Sequence, residues 1–126
     1  VHLRNHPDLF QPLLATCAGL GVPVTFTGLD NLRVKETDRL RAMADALHIL
    51  GAQLHLDGGT ATLTGQVHRS VVRIDPEGDH RMAMSIAPLV QVTGELHIAR
   101  PEVVTKSYPG FWDELQEVGL QVDRSL

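Results

Sequence analysis

Apolar residues recur at three- and four-residue steps through Leu40, Met43, Leu47 and Leu50, with Arg41 and Asp45 between them on the opposite face. That spacing predicts an amphipathic helix, and Gly51 stands where such a helix ends. Thr37 is the expected N-cap, which places Asp38 and Arg39 in the first turn. Nearer the start, Asp8-Leu-Phe-Gln11 reads as a cap with Gln at the third helical position. It leads into a short helix through Leu13, Leu14, Cys17 and Leu20 that ends at Gly21, with Pro12 tolerated in or beside the first turn.

Strand patterns separate these helices. Residues 22–28 alternate Val, Val and Phe against Pro, Thr and Thr, as a strand covered on one face does. Residues 52–56 and 60–64 flank Asp57-Gly58-Gly59, a hairpin whose Gly-rich loop suits positive φ. Val71, Val72 and Ile74 predict another short strand, and Asp75-Pro76-Glu77-Gly78 a turn. Asp79 then caps a helix through Arg81, Met84, Ile86, Ala87, Leu89 and Val90, stopped near Gly94. A strand over 95–99, a loop over 101–110, a helix over 111–118 and a last strand over 120–122 complete the chain. This order predicts one α/β (α+β) domain over residues 1–126, with helices packed on a mixed sheet and no linker. The alternation hints at a repeated unit, although the residues themselves do not repeat.

Composition adds exclusions. A chain 43% hydrophobic and 21% charged is long enough, at 126 residues, for one core. Its formal net charge of -4 gives no electrostatic basis for nucleic acid or an anionic membrane as partner. No apolar run approaches a membrane span, and the first residues lack the pattern of a signal peptide. The lone Cys17 has no partner for an internal disulfide, so a reducing, cytoplasmic setting is expected. The chain opens on Val1 where a complete one would open on Met, which suggests a piece of something longer.

The densest chemistry lies just before the 40–50 helix, where Arg33, Lys35, Glu36, Asp38 and Arg39 crowd together. A helix start carries partial positive charge and unpaired N–H groups, so Asp38 and Glu36 suit it and Lys35 and Arg39 do not. Cations gathered there point to an anion from outside, the alternative being a solvated ion-pair cluster. Arg81 occupies the same inhospitable turn in its own helix, next to His80 and after Asp79, and Lys106 lies in the loop before the last helix. Capping alone would account for Asp8 and Asp79, and a surface position for His80 and Lys106. With the helices parallel, Lys35, Arg39, Arg81 and Lys106 would collect around one anion pocket, with Asp8 and Glu36 placed for proton transfer. Such a pocket fits a substrate bearing phosphate and carboxylate groups. The seven His residues have no metal-site spacing, and no GxGxxG, Walker-type loop or Gly-x-Ser-x-Gly is present, so no metal and no cofactor is expected.

Three stretches, Asn31-Leu-Arg-Val-Lys-Glu-Thr-Asp-Arg-Leu, Asp79-His-Arg-Met-Ala-Met84 and Lys106-Ser-Tyr-Pro109, resemble in order and spacing the signatures of the EPSP synthase (3-phosphoshikimate 1-carboxyvinyltransferase) family. The resemblance runs from about Asp8 to the last helix and implies the C-terminal portion, about the last third, of a longer enzyme whose N-terminal domain is absent. It implies βαβαββ units of an enolpyruvyl transferase (EPT/RTPC-like) fold and a transferase acting on shikimate 3-phosphate and phosphoenolpyruvate in aromatic amino acid biosynthesis. By position it makes Asp8 the base for the 5-hydroxyl and Glu36 the acid for the phosphoenolpyruvate methylene. Asn31 and Lys35, with Asp8, match positions that hold shikimate 3-phosphate. Arg39, Arg81 and Lys106 match the cations that grip phosphoenolpyruvate, and His80 lines their pocket. Pro7 precedes Asp8 where many relatives carry a second acid, and Lys106-Ser-Tyr-Pro109 departs conservatively from Lys-Thr-Phe-Pro. The fragment alone is expected to lack turnover. The alternatives are a UDP-N-acetylglucosamine enolpyruvyl transferase, which shares the fold but relies on a loop cysteine, and a non-catalytic anion-binding module.

Overall fold

The computed structural model describes residues 1–30, 32, 38–105 and 107–123. Helix α1 (Phe10–Leu20) follows a 3-10 turn at Pro7–Leu9 and ends on Gly21, whose φ of 72° is the left-handed conformation a helix stop needs. Its buried face is Phe10, Gln11, Leu14, Ala15 and Ala18. The stripe therefore lies to one side of the expected Leu13–Leu20 line, because two alanines face inward and let the helix approach closely, leaving Leu13 and Leu20 exposed. Strand β1 (Val24–Phe26) is shorter than residues 22–28 and buries only Phe26, whose ring meets Phe10 edge to face at 5.4 Å. Residues 1–3 add to β1 in parallel: the Leu3 N–H donates to the Thr27 carbonyl and the Thr27 N–H to the Val1 carbonyl, both at 2.9 Å.

Helix α2 (Arg39–Leu50) buries Leu40, Met43, Leu47 and Leu50, as its spacing predicts. It starts one residue later than Thr37 would dictate: Asp38 is the N-cap, its carboxylate accepting from the Arg41 N–H at 3.2 Å. On the wet face Arg41 pairs with Asp45 at 2.7 Å. Strands β2 (Ala52–Asp57) and β3 (Thr60–Gly65) form the expected hairpin, with Asp57 opposite Thr60, so that Gly58 and Gly59 alone make the turn. Gly58 supplies a positive φ of 58°, whereas Gly59 supplies room, since a Cβ there would lie 2.5 Å from an Asp30 carboxylate oxygen.

Strand β4 (Ser70–Ile74) pairs in parallel with β5 (Gly94–Ile98). The crossover is not one helix: α3 (His80–Ile86) gives way to a 3-10 turn at Ala87–Leu89 and a last turn, α4 (Val90–Thr93), because Pro88 has no N–H to continue the ladder. Helix α5 (Phe111–Glu117) follows a 3-10 turn at Pro101–Val104. Residues 120–122 do not form the expected strand; Gly119 at φ 104° turns the chain, and the Leu120 N–H donates back to the Leu115 carbonyl at 3.0 Å.

Among the described residues the strands thus fall into two sheets, antiparallel β1-β3-β2 and parallel β4-β5, where the pattern suggested one mixed sheet. Residues 1–65 complete a βαβαββ unit, counting the bridge at His2 as its first strand, and residues 70–117 repeat its first four elements. One hydrophobic cluster joins the two, running from Phe10, Leu14, Met43 and Leu63 to Met82 and Ile86. The repetition is visible in position: Asp8 lies five residues past the buried Leu3, and Asp79 five past the buried Ile74.

Candidate functional site

Those two acids meet. Asp79 does cap α3, one carboxylate oxygen accepting from the Arg81 N–H at 3.0 Å, but it is wholly buried and its other oxygen faces away from its own helix. That oxygen accepts from the Gln11 side-chain amide at 2.9 Å and from the Arg39 Nε at 3.1 Å. Gln11 does not close a capping box, and Asp8 is not a cap: it sits in the 3-10 turn before α1, whose N-cap, Leu9, makes no side-chain bond. Asp8 is instead 61% exposed at the mouth of the cluster. Its two oxygens lie 3.3 Å from an Arg81 terminal nitrogen and 3.9 Å from one of Arg39. The other Arg81 terminal nitrogen is 3.2 Å from the His80 Nε2.

The arrangement is layered by charge. Arg39 is 2% exposed and Asp79 0%, so this pair is a buried one, tolerable because Gln11 and the Arg81 N–H of α3 complete the hydrogen bonding of the carboxylate. Outside it lie Arg81, one-third exposed, and Asp8. Both arginines stand in first turns, where the helix field opposes them, and both direct guanidinium nitrogens at the same carboxylate. An arriving anion would meet two cations already fixed in place.

A second layer of ion pairs fastens the Asp75–Asp79 turn. Arg100 donates to both oxygens of Asp75 at 2.6 and 2.7 Å, and the Glu77 N–H donates to Asp75 at 2.8 Å. Hydrogen bonding from Arg100 above all, then from that N–H, holds the Asp75 carboxyl below its ordinary range. Arg41 donates to Glu77 at 2.8 Å, which raises the guanidinium pKa further. Glu77 (φ 54°) and Arg100 (φ 50°) are the two non-glycine residues in the left-handed region among the described residues. For Glu77 that conformation costs about 1 kcal/mol, and it is held two residues before the Asp79 cap. In the following loop Tyr108 donates to Glu114, which pushes the phenol pKa up, and Trp112 donates to the Pro101 carbonyl at 3.0 Å.

The structure therefore brings together Asp8, Arg39, His80 and Arg81 of the expected site. Asn31, Lys35, Glu36 and Lys106, along with Thr37, lie outside the described residues. Two surface depressions elsewhere carry no such cluster: one lies beside the end of α5, and the other, around Gly21, Gly51 and His68, faces helix C-termini, whose partial negative charge disfavours an anion. Sequence reasoning assigned Asp79 only a capping role and Gln11 a local one. The signal for Gln11 was present, since Gln11, Leu14, Ala15 and Ala18 share one inward stripe in which a polar side chain needs a buried partner.

A family profile described as EPSP synthase (3-phosphoshikimate 1-carboxyvinyltransferase) matches residues 1–115. Among curated relatives, the 3-phosphoshikimate 1-carboxyvinyltransferase of Bacteroides fragilis is 42% identical over 120 residues, covering 92% of this chain and 29% of the relative. That of Methanoculleus marisnigri is 39% identical over 120 residues, covering 95% and 28%. Among solved structures, EPSP synthase from Acinetobacter baumannii superposes with a TM-score of 0.79 at 27% identity, over 93% of this chain and 28% of that one. The chain spans less than a third of the length of these relatives.

Proposed function

Because the chain belongs to the EPSP synthase family, we propose that the protein it forms part of transfers the enolpyruvyl group of phosphoenolpyruvate to the 5-hydroxyl of shikimate 3-phosphate and releases phosphate. One observation supports this most: a carboxylate, Asp8, lies between two arginines, 3.3 Å from Arg81 and 3.9 Å from Arg39. A proton acceptor set among fixed cations is what the addition requires. Asp8 takes the hydroxyl proton as the oxygen bonds to C2 of phosphoenolpyruvate, and Glu36 protonates C3, giving a tetrahedral intermediate. Arg39, Arg81 and Lys106 stabilise its phosphate and carboxylate, and His80 lines their pocket. Asn31 and Lys35, with Asp8, orient shikimate 3-phosphate. Loss of phosphate and of a methyl proton then restores the double bond in the product.

The preceding domain of such an enzyme would supply the remaining contacts, and the cytosol is the proposed setting. Among the described residues no helix is long and apolar enough to cross a membrane. The test joins this chain to the rest of its protein and follows phosphate release. Asp8→Asn and Glu36→Gln should each lower turnover at least about 100-fold while calorimetric binding of shikimate 3-phosphate is partly kept. Unchanged turnover in both would overturn the reading, and product formation by residues 1–126 alone would overturn the requirement for a second domain.

A further inference from the structure

Asp79 is wholly buried, and its carboxylate is held by donors from three helices: the Arg81 N–H of α3, the Arg39 Nε of α2 and the Gln11 amide of α1. Two of them share one oxygen, Gln11 at 2.9 Å and Arg39 at 3.1 Å. Arginine meets a lone carboxylate most favourably as a two-pronged fork, with two parallel N–H groups on two oxygens. Here that fork is not formed: one oxygen accepts from the α3 N–H, and Arg39 meets the other through Nε alone, sharing it with Gln11. Arg39 is consequently held by its inner Nε edge, and a terminal nitrogen extends to within 3.9 Å of Asp8 at the mouth of the cluster.

We propose that Gln11 is a positioning residue for Arg39. By fixing the Asp79 carboxylate in its capping orientation it keeps the guanidinium from closing onto Asp79 and holds its outer edge toward an incoming anion. Gln11 is itself 2% exposed, so it acts only through Asp79 and does not touch the ligand. Without its amide, the carboxylate turns toward Arg39 and draws the guanidinium inward.

This inference rests on the anion-site reading above, and its test is read by a probe independent of the transferase chemistry. In the complete protein, Gln11→Met keeps the length and removes the donor. Affinity for inorganic phosphate and the KM for phosphoenolpyruvate should both weaken about tenfold, with the KM for shikimate 3-phosphate unchanged. In an Arg39→Lys background, which lacks the Nε–H, the same substitution should have no further effect on either. Gln11→Glu provides a second variant in case Gln11→Met does not fold. It places an acceptor where a donor stood, so its loss of phosphate affinity relative to the parent should shrink as pH falls and the new carboxyl regains a proton to donate. The proposal fails if phosphate affinity is unchanged in the variant that folds, or if the loss persists undiminished with Arg39→Lys. If the unmodified protein yields no EPSP, the transferase reading fails while the phosphate titrations still judge Gln11.

Discussion

Residues 1–65 and 70–117 run through the same opening order of strand, helix, strand and helix, yet their second helices fare differently. Helix α2 buries seven of its twelve residues; α5, with Phe111 and Leu115 one turn apart, buries none of its seven. Beyond α2 the chain returns as the β2–β3 hairpin, which packs under it and pairs with β1, whereas no hairpin succeeds α5 among the described residues. An amphipathic pattern makes a helix able to bury a face, and a sheet beneath it decides whether the face is buried. The site lies where the two regions join, drawing Asp8, Gln11 and Arg39 from the first and Asp79, His80 and Arg81 from the second.

Breaking that junction should have the largest effect. Asp79→Ala leaves Arg39 buried beside an unpaired Gln11, and removing one partner of a buried ion pair should cost about 4 kcal/mol in chemical denaturation. A loss no larger than that of an exposed pair would mean the two regions are not joined through this carboxylate. Truncations in the two helices should come second in size. Leu47→Ala empties a fully buried site in α2 and should cost about 3 kcal/mol, whereas Leu115→Ala in α5 should cost under about 1 kcal/mol. Equal losses would show that α5 is as firmly packed as α2.

What could be read from the sequence was local. The helix over 40–50, its stop at Gly51 and the Gly58-Gly59 turn depend on neighbours a few residues away, and they appear as expected. Asp8 and Asp79 show where local signals end: each precedes a helix in the same pattern, yet one caps and the other does not, because Gln11 and Arg39 reach across from other elements to hold Asp79. The nearness of Arg39 and Arg81 was legible from their shared place at helix starts. The burial of Arg39 was not, since it depends on a partner 40 residues away.

Two glycines isolate packing from backbone strain. Gly51 and Gly119 have nearly the same φ, 107° and 104°, so an alanine at either meets the same conformational penalty. At Gly119 nothing lies within 4 Å of the new Cβ, while at Gly51 it would overlap the His68 ring. Gly119→Ala should therefore lower stability by about 1 kcal/mol, and Gly51→Ala by about 2 kcal/mol or more as His68 is displaced. If both cost the same, the first region can yield at its helix ends as readily as the second.

The smallest effect separates surface fastening from buried packing. Asp75 and Arg100 are both half exposed, so their ion pair, made through one terminal nitrogen, should be weak and salt-sensitive. The folded state holds the Asp75 carboxyl below its ordinary value of 3.8, chiefly through Arg100. A depressed carboxyl stabilises the fold above that ordinary value, and the contribution disappears as pH falls through the lowered one. Arg100→Gln should accordingly be less stable than the parent at neutral pH and converge with it in acid, with the gap narrowing at high salt. A gap that persists in acid would assign the role of Arg100 to its left-handed backbone instead of its charge, and the second region would then be held by chain geometry even where its ion pairs are most visible.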